Sequence, residues 1–139
     1  MGNGFPVGGI LIQPKIEASY GLLGTTFGGN HLACSAALAV LEVLKKEDLQ
    51  EKTKVLEAHF RAGASQIPEI KKIKGRGLML GIEFDFEIAS LRKKLIEEHH
   101  IFTGGSSNKK LIRILPPLTI GQKHFDYFFE ALTKSLKTL

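Results

Sequence analysis

Ile70-Lys71-Lys72-Ile73-Lys74-Gly75-Arg76-Gly77-Leu78-Met79-Leu80-Gly81-Ile82-Glu83-Phe84 is the stretch in which the chain stops reading as helix and starts reading as sheet. Residues 70–74 carry the apolar and charged alternation of a half-buried strand, and Gly75-Arg76-Gly77 reads as a turn. Residues 78–84 read as a second strand, with Gly81 where another backbone comes near. One hairpin set among helical stretches predicts an α/β or α+β fold, in which helices lie on a small, mostly antiparallel or mixed sheet.

Upstream of the hairpin, Asn30 is an N-cap for a helix over residues 31–46. The first half of that helix is apolar or small all round through residues 32–41, which predicts burial on most faces and makes Cys34 a packing residue. A second helix follows over residues 49–66, with Leu49, Leu56 and Phe60 on one face, and Pro68 ends it. Before the first helix, Val7-Gly8-Gly9-Ile10-Leu11-Ile12 reads as a short buried strand, and Pro14 opens a helical turn through Ala18. Downstream of the hairpin come a helix over 88–100, a short strand over 101–103 and a loose loop from Gly104 to Asn108. A last strand over 111–115 is stopped by Pro116-Pro117; Thr119 then caps a final helix over 122–136 that turns Phe125, Phe128, Phe129 and Leu132 inward.

Composition narrows the function classes. With 139 residues and 43% apolar content the chain is long enough to bury its own core. The formal charge of +5 is spread over helix faces and loops without aromatic platforms, so nucleic acid is not an expected partner. No run approaches the ~20 apolar residues of a membrane span. The single cysteine cannot form an internal disulfide, which points to a reducing, cytoplasmic setting. The five histidines show no metal-ligand spacing, and no nucleophile triad, P-loop or dinucleotide fingerprint can be assembled.

Two places carry chemistry. In Gly24-Thr25-Thr26-Phe27-Gly28-Gly29-Asn30, two adjacent hydroxyls run directly into a helix start, which outlines an anion site for a phosphate or a carboxylate. Arg113 sits mid-strand between Ile112 and Ile114, so it faces the other way from both; its planar fork suits a carboxylate if that face is open. Arg76 reads as structural, and Glu83 as a carboxylate at the sheet edge or facing a loop.

Gly2-Asn3-Gly4-Phe5-Pro6-Val7-Gly8-Gly9, the Gly24–Asn30 motif, Gly75-Arg76-Gly77-Leu78-Met79-Leu80-Gly81 and Ile112-Arg113-Ile114-Leu115-Pro116-Pro117-Leu118 together resemble the C-terminal third of a class III, pyridoxal-phosphate-dependent aminotransferase. The subgroup they most resemble uses acetylornithine or succinylornithine. The resemblance implies the small C-terminal domain of fold-type I enzymes over residues 36–139, with residues 1–35 a remnant of the large cofactor-binding domain and its dimer-interface loop. It implies pyridoxal 5'-phosphate as cofactor of a homodimeric parent. The Schiff-base lysine falls two residues before the position of Met1, so no catalytic residue, no bound cofactor and no activity are expected of this polypeptide alone. By motif match Thr26 corresponds to the threonine that reaches the cofactor phosphate of the neighbouring subunit, and Thr25 to a substrate-binding Ser/Thr. Arg113 corresponds to an active-site arginine near the substrate carboxylate or a glutamate gate, a role that differs among members. His31 departs from the proline that many members place there. The implied parent reaction moves the δ-amino group of N2-acetylornithine or N2-succinylornithine to 2-oxoglutarate. A part of an ornithine or 4-aminobutyrate aminotransferase, or a non-catalytic anion-binding or structural domain, is the alternative.

Overall fold

The computed structural model describes residues 2–17, 19–21 and 24–139, and the chain divides into two compact units, residues 1–48 and 49–139. The predicted turn from Pro14 runs through Ile16, whose N–H donates to Gln13 O, and its far end at Ala18 lies outside the described residues.

In the first unit, α1 spans His31–Lys46. Asn30 caps it as its side-chain chemistry dictates: extended backbone, with Oδ1 accepting the Ala33 N–H at 2.9 Å. Two expectations fail here. Residues 7–12 join no ladder among the described residues, and Ile10, Leu11 and Ile12 are exposed, because an apolar run becomes a strand only where a neighbouring strand takes its amides. The leucine-bearing faces of α1 are likewise open, with Leu32 and Leu38 exposed and Ala33 and Ala37 buried. Cys34 is exposed as well, so it is not a packing residue.

The second unit holds α2 (Leu49–Ala64), β1 (Lys72–Arg76), β2 (Met79–Glu83), α3 (Ala89–His99), β3 (Leu111–Ile114) and α4 (Gln122–Lys137). The three strands form one antiparallel sheet in the order β1-β2-β3. The architecture is α+β, as the alternation of patterns predicts. Burial follows the strand period: on β3, Ile112 and Ile114 are buried and Arg113 is exposed. The core gathers Leu80, Ile82, Phe84 and Ile112 from the sheet region with Phe60, Leu91, Leu95, Phe125, Phe128 and Leu132 from the helices. Phe60 is fully buried and meets Phe125 edge-on at a centroid distance of 5.1 Å, with Phe128 and Phe129 also around it.

The hairpin turns one step later than expected. Arg76 pairs with Met79, so Gly77-Leu78 is the two-residue loop and Gly75-Arg76 belongs to β1. Gly77 has φ +59, and Gly75 has φ +96 with the Met79 carbonyl where a Cβ would stand, so both positions demand glycine. From α2, Glu57 Oε2 accepts the Gly77 N–H at 2.5 Å and Arg61 Nη2 donates to Gly75 O at 2.6 Å, locking the turn to the helix layer.

Two smaller expectations also change. Residues 101–103 are not a strand: His100 adopts a left-handed φ of 56° and Ile101 N–H reaches back to Leu95 O at 2.8 Å, so this backbone closes α3 instead. Gly121, not Thr119, precedes α4, and His124 Nδ1 accepts its N–H at 3.1 Å. Thr119 is held in the turn that Ile120 N–H closes on Pro117 O.

Candidate functional site

The threonine loop is organised by the capping residue that follows it. Asn30 Nδ2 donates to Phe27 O at 2.8 Å while Oδ1 takes the Ala33 amide, which pins the loop to the first turn of α1. A Cβ at Gly28 would run into the Thr25 side chain, so the glycine is what lets Thr25 lie against the loop. Thr25 and Thr26 are exposed, and among the described residues their hydroxyls have no hydrogen-bond partner. The amides of His31 and Leu32 are in the orphan positions of a helix start, and no acidic residue occupies the first turn. Among the described residues, two unpartnered hydroxyls thus precede along the chain the open amides of a helix start whose first turn has no acidic residue, and such groups can donate to an anion.

Arg113 occupies the open face of the sheet in the other unit. Its cross-strand neighbour on β2 is Gly81, and a bridge on its other side pairs it with Gly104. Neither neighbour has a side chain to cover it, and its guanidinium has no ion pair or hydrogen bond among the described residues. The cation across Gly81, Lys74, is committed elsewhere: its Nζ lies 2.8 Å from Glu83 Oε2. Asn108 Nδ2 donates to the other Glu83 oxygen at 2.6 Å. Hydrogen bonds from Lys74 and then Asn108 hold the Glu83 carboxyl below the usual carboxylate range. Glu83 therefore faces a loop, as read from sequence, although it stands on the central strand and not at the sheet edge.

The expected site residues thus fall in two places. Thr25 and Thr26 lie together in the first unit, and Arg113 lies in the second. Resemblance to the family makes Arg113 and the Gly104 to Asn108 loop the segments of this region expected to contribute to substrate selection, and Gly104 does lie against Arg113; Arg92, which holds Thr103 beside it, was not singled out from sequence. Among the described residues no group of His, Cys, Asp and Glu is placed to hold a metal ion. His59 instead meets Asp126 at 2.6 Å, tying α2 to α4.

The description "Aminotransferase class-III" matches residues 1–136, nearly the whole chain. The chain belongs to the class III aminotransferases. It is similar to the acetylornithine aminotransferase of Methanocaldococcus jannaschii, at 39% identity over 95% of this chain and 34% of that protein. Among solved structures it is similar to acetylornithine aminotransferase from Elizabethkingia anophelis, with 27% identity and a TM-score of 0.74 over 88% of this chain and 32% of the other. It is also similar to ornithine aminotransferase from Toxoplasma gondii, with 34% identity and a TM-score of 0.73 over 84% of this chain and 29% of the other. That structure is described as having partial occupancy of pyridoxal phosphate at its active site. The chain spans about a third of the length of the curated relatives it matches.

Proposed function

We propose that these residues are the C-terminal portion of a homodimeric aminotransferase that moves the δ-amino group of an N2-acylornithine, acetylated or succinylated, to 2-oxoglutarate. Residues 1–35 are assigned to the large cofactor-binding domain and 36–139 to the small domain. The observation that carries the reading is the pair of hydroxyls on Thr25 and Thr26, unpartnered among the described residues and just ahead of α1, in a chain whose family uses pyridoxal phosphate.

In this reading Thr26 donates its hydroxyl to a phosphate oxygen of the cofactor in the neighbouring subunit, with the α1 dipole favouring the negative charge. Thr25 orients the amino-acid substrate, and Arg113 pairs with a substrate carboxylate. When bound, the cofactor supplies an electron-withdrawing ring that stabilises the carbanion left by proton loss beside the reacting nitrogen. None of the three residues moves that proton. The 139-residue polypeptide alone is therefore expected to leave substrates unchanged.

The test joins this polypeptide to the remaining N-terminal two-thirds of the M. jannaschii relative and assays N2-acetylornithine with 2-oxoglutarate. Transamination is expected, and Thr26→Ala should weaken pyridoxal phosphate binding about tenfold, since one charge-assisted hydrogen bond is lost. Unchanged cofactor affinity in that variant would remove Thr26 from the phosphate site. Turnover by the 139-residue polypeptide alone would contradict the division of labour.

A further inference from the structure

Arg113 is seated on a residue with no side chain. Gly104 N–H donates to Arg113 O at 2.8 Å and Arg113 N–H donates to Gly104 O at 2.9 Å, so the two backbones are locked side by side. A methyl group at position 104 would stand 2.8 Å from Arg113 Nε, 3.2 Å from its Cβ and 3.4 Å from Nη2. The guanidinium therefore lies across the bare Cα of Gly104. Gly104 is not among the residues with positive φ, so its backbone is open to any residue, and what glycine supplies here is space. Gly81, on the other side, differs: a methyl there would meet the Leu111 side chain first, at 3.1 Å.

The floor of this seat is tied down from α3. Arg92 Nη2 donates to Thr103 O at 2.6 Å and Arg92 Nε to Thr103 Oγ1 at 3.2 Å. A methyl at Gly105 would in turn stand 3.1 Å from Arg92 Nη1. Two guanidinium groups thus rest on two successive glycines. Arg92 spends donors on the loop, whereas Arg113 keeps its fork free among the described residues.

We propose that Gly104 is a positioning residue, whose missing side chain is the seat that aims the Arg113 fork at a substrate carboxylate. The inference rests on the assignment of Arg113 to substrate binding made above. An arginine held along a fixed surface loses less rotamer freedom on binding and presents its two donors in one plane. The group that a new side chain would press on is the flexible end of Arg113, which can swing away. The Arg113 Cβ, 3.2 Å away, needs to give by only a few tenths of an ångström, so Gly104→Ala is expected to keep the fold and to move chiefly the fork.

Two measurements test this. In the 139-residue chain, the Nε–Hε NMR signal of Arg113 should shift in Gly104→Ala while the backbone spectrum and the Arg92 signal stay in place; an unmoved Arg113 signal overturns the seat. In the joined enzyme, Arg113→Lys should raise the KM of a carboxylate-bearing substrate about tenfold or more, and Gly104→Ala roughly three- to tenfold, with kcat changed less. Added to Arg113→Lys, Gly104→Ala should have little further effect, because the contacts with Nε and Nη2 are gone and only the 3.2 Å contact with the Cβ remains; additive losses would instead indicate a purely structural role. A change in Arg113→Lys with none in Gly104→Ala overturns the positioning role alone. No change in Arg113→Lys overturns the substrate assignment beneath it.

Discussion

Glu57 shows how one side chain can hold a hairpin to a helix. Its carboxylate accepts the Gly77 N–H and the Arg61 guanidinium, and the Gly77 bond first, then Arg61, holds its pKa below the usual carboxylate range. A folded-state pKa below the unfolded one means that the group stabilises the fold above its unfolded value of about 4.3, and that this contribution is lost as pH falls through the folded value. Glu57→Gln should therefore cost about 1 kcal/mol near neutrality, and the gap from the parent should close below about pH 4. Urea denaturation across that range measures it; a gap that is constant with pH would assign the cost to packing. Gly104 works in the opposite sense, because it offers Arg113 space and leaves its charge unspent.

At the scale of elements, the β1–β2 hairpin is the piece whose geometry tolerates least. Gly75 combines a left-handed φ with a Met79 carbonyl where any Cβ would go, so there is no conformation into which an alanine can relax. Gly75→Ala is expected to destabilise the second unit by at least about 2 kcal/mol, read as a lowered thermal midpoint. A shift no larger than that of an exposed control substitution would show that the turn can rearrange. The existence and order of the helices and of the hairpin were legible because 3.6-residue and 2-residue periods are local. Ends were less so: Gly121 in place of Thr119 depended on a histidine ring reaching back to the cap. The predicted strand at 101–103 was lost to the closure of α3, a bond made across the helix end and invisible to any pattern count.

For the molecule as a whole, the buried aromatic and aliphatic cluster belongs to residues 49–139, whereas the first unit displays Ile10, Leu11, Leu32 and Leu38. At about 25 cal/mol per Å² of apolar surface, that display favours association. A polypeptide of residues 49–139 is expected to unfold cooperatively as a monomer, and the 139-residue chain to self-associate in light scattering. Amide exchange should be slowest in β2, α2 and α4 and fast through residues 2–17. Loss of the cooperative transition on removing residues 1–48 would mean that the second unit depends on the first.

By itself the sequence determined the α+β character, the Asn30 cap, the outward face of Arg113 and the motifs that mark a class III aminotransferase, because each depends on neighbours along the chain or on residue order. Only the tertiary structure decided that residues 8–12 join no ladder among the described residues, that Leu32, Leu38 and Leu41 of α1 are open, and that Arg113 lies on Gly104. Those outcomes depend on which distant backbone or side chain arrives to satisfy an amide, cover an apolar face or leave a space empty, and periodicity carries no information about that arrival.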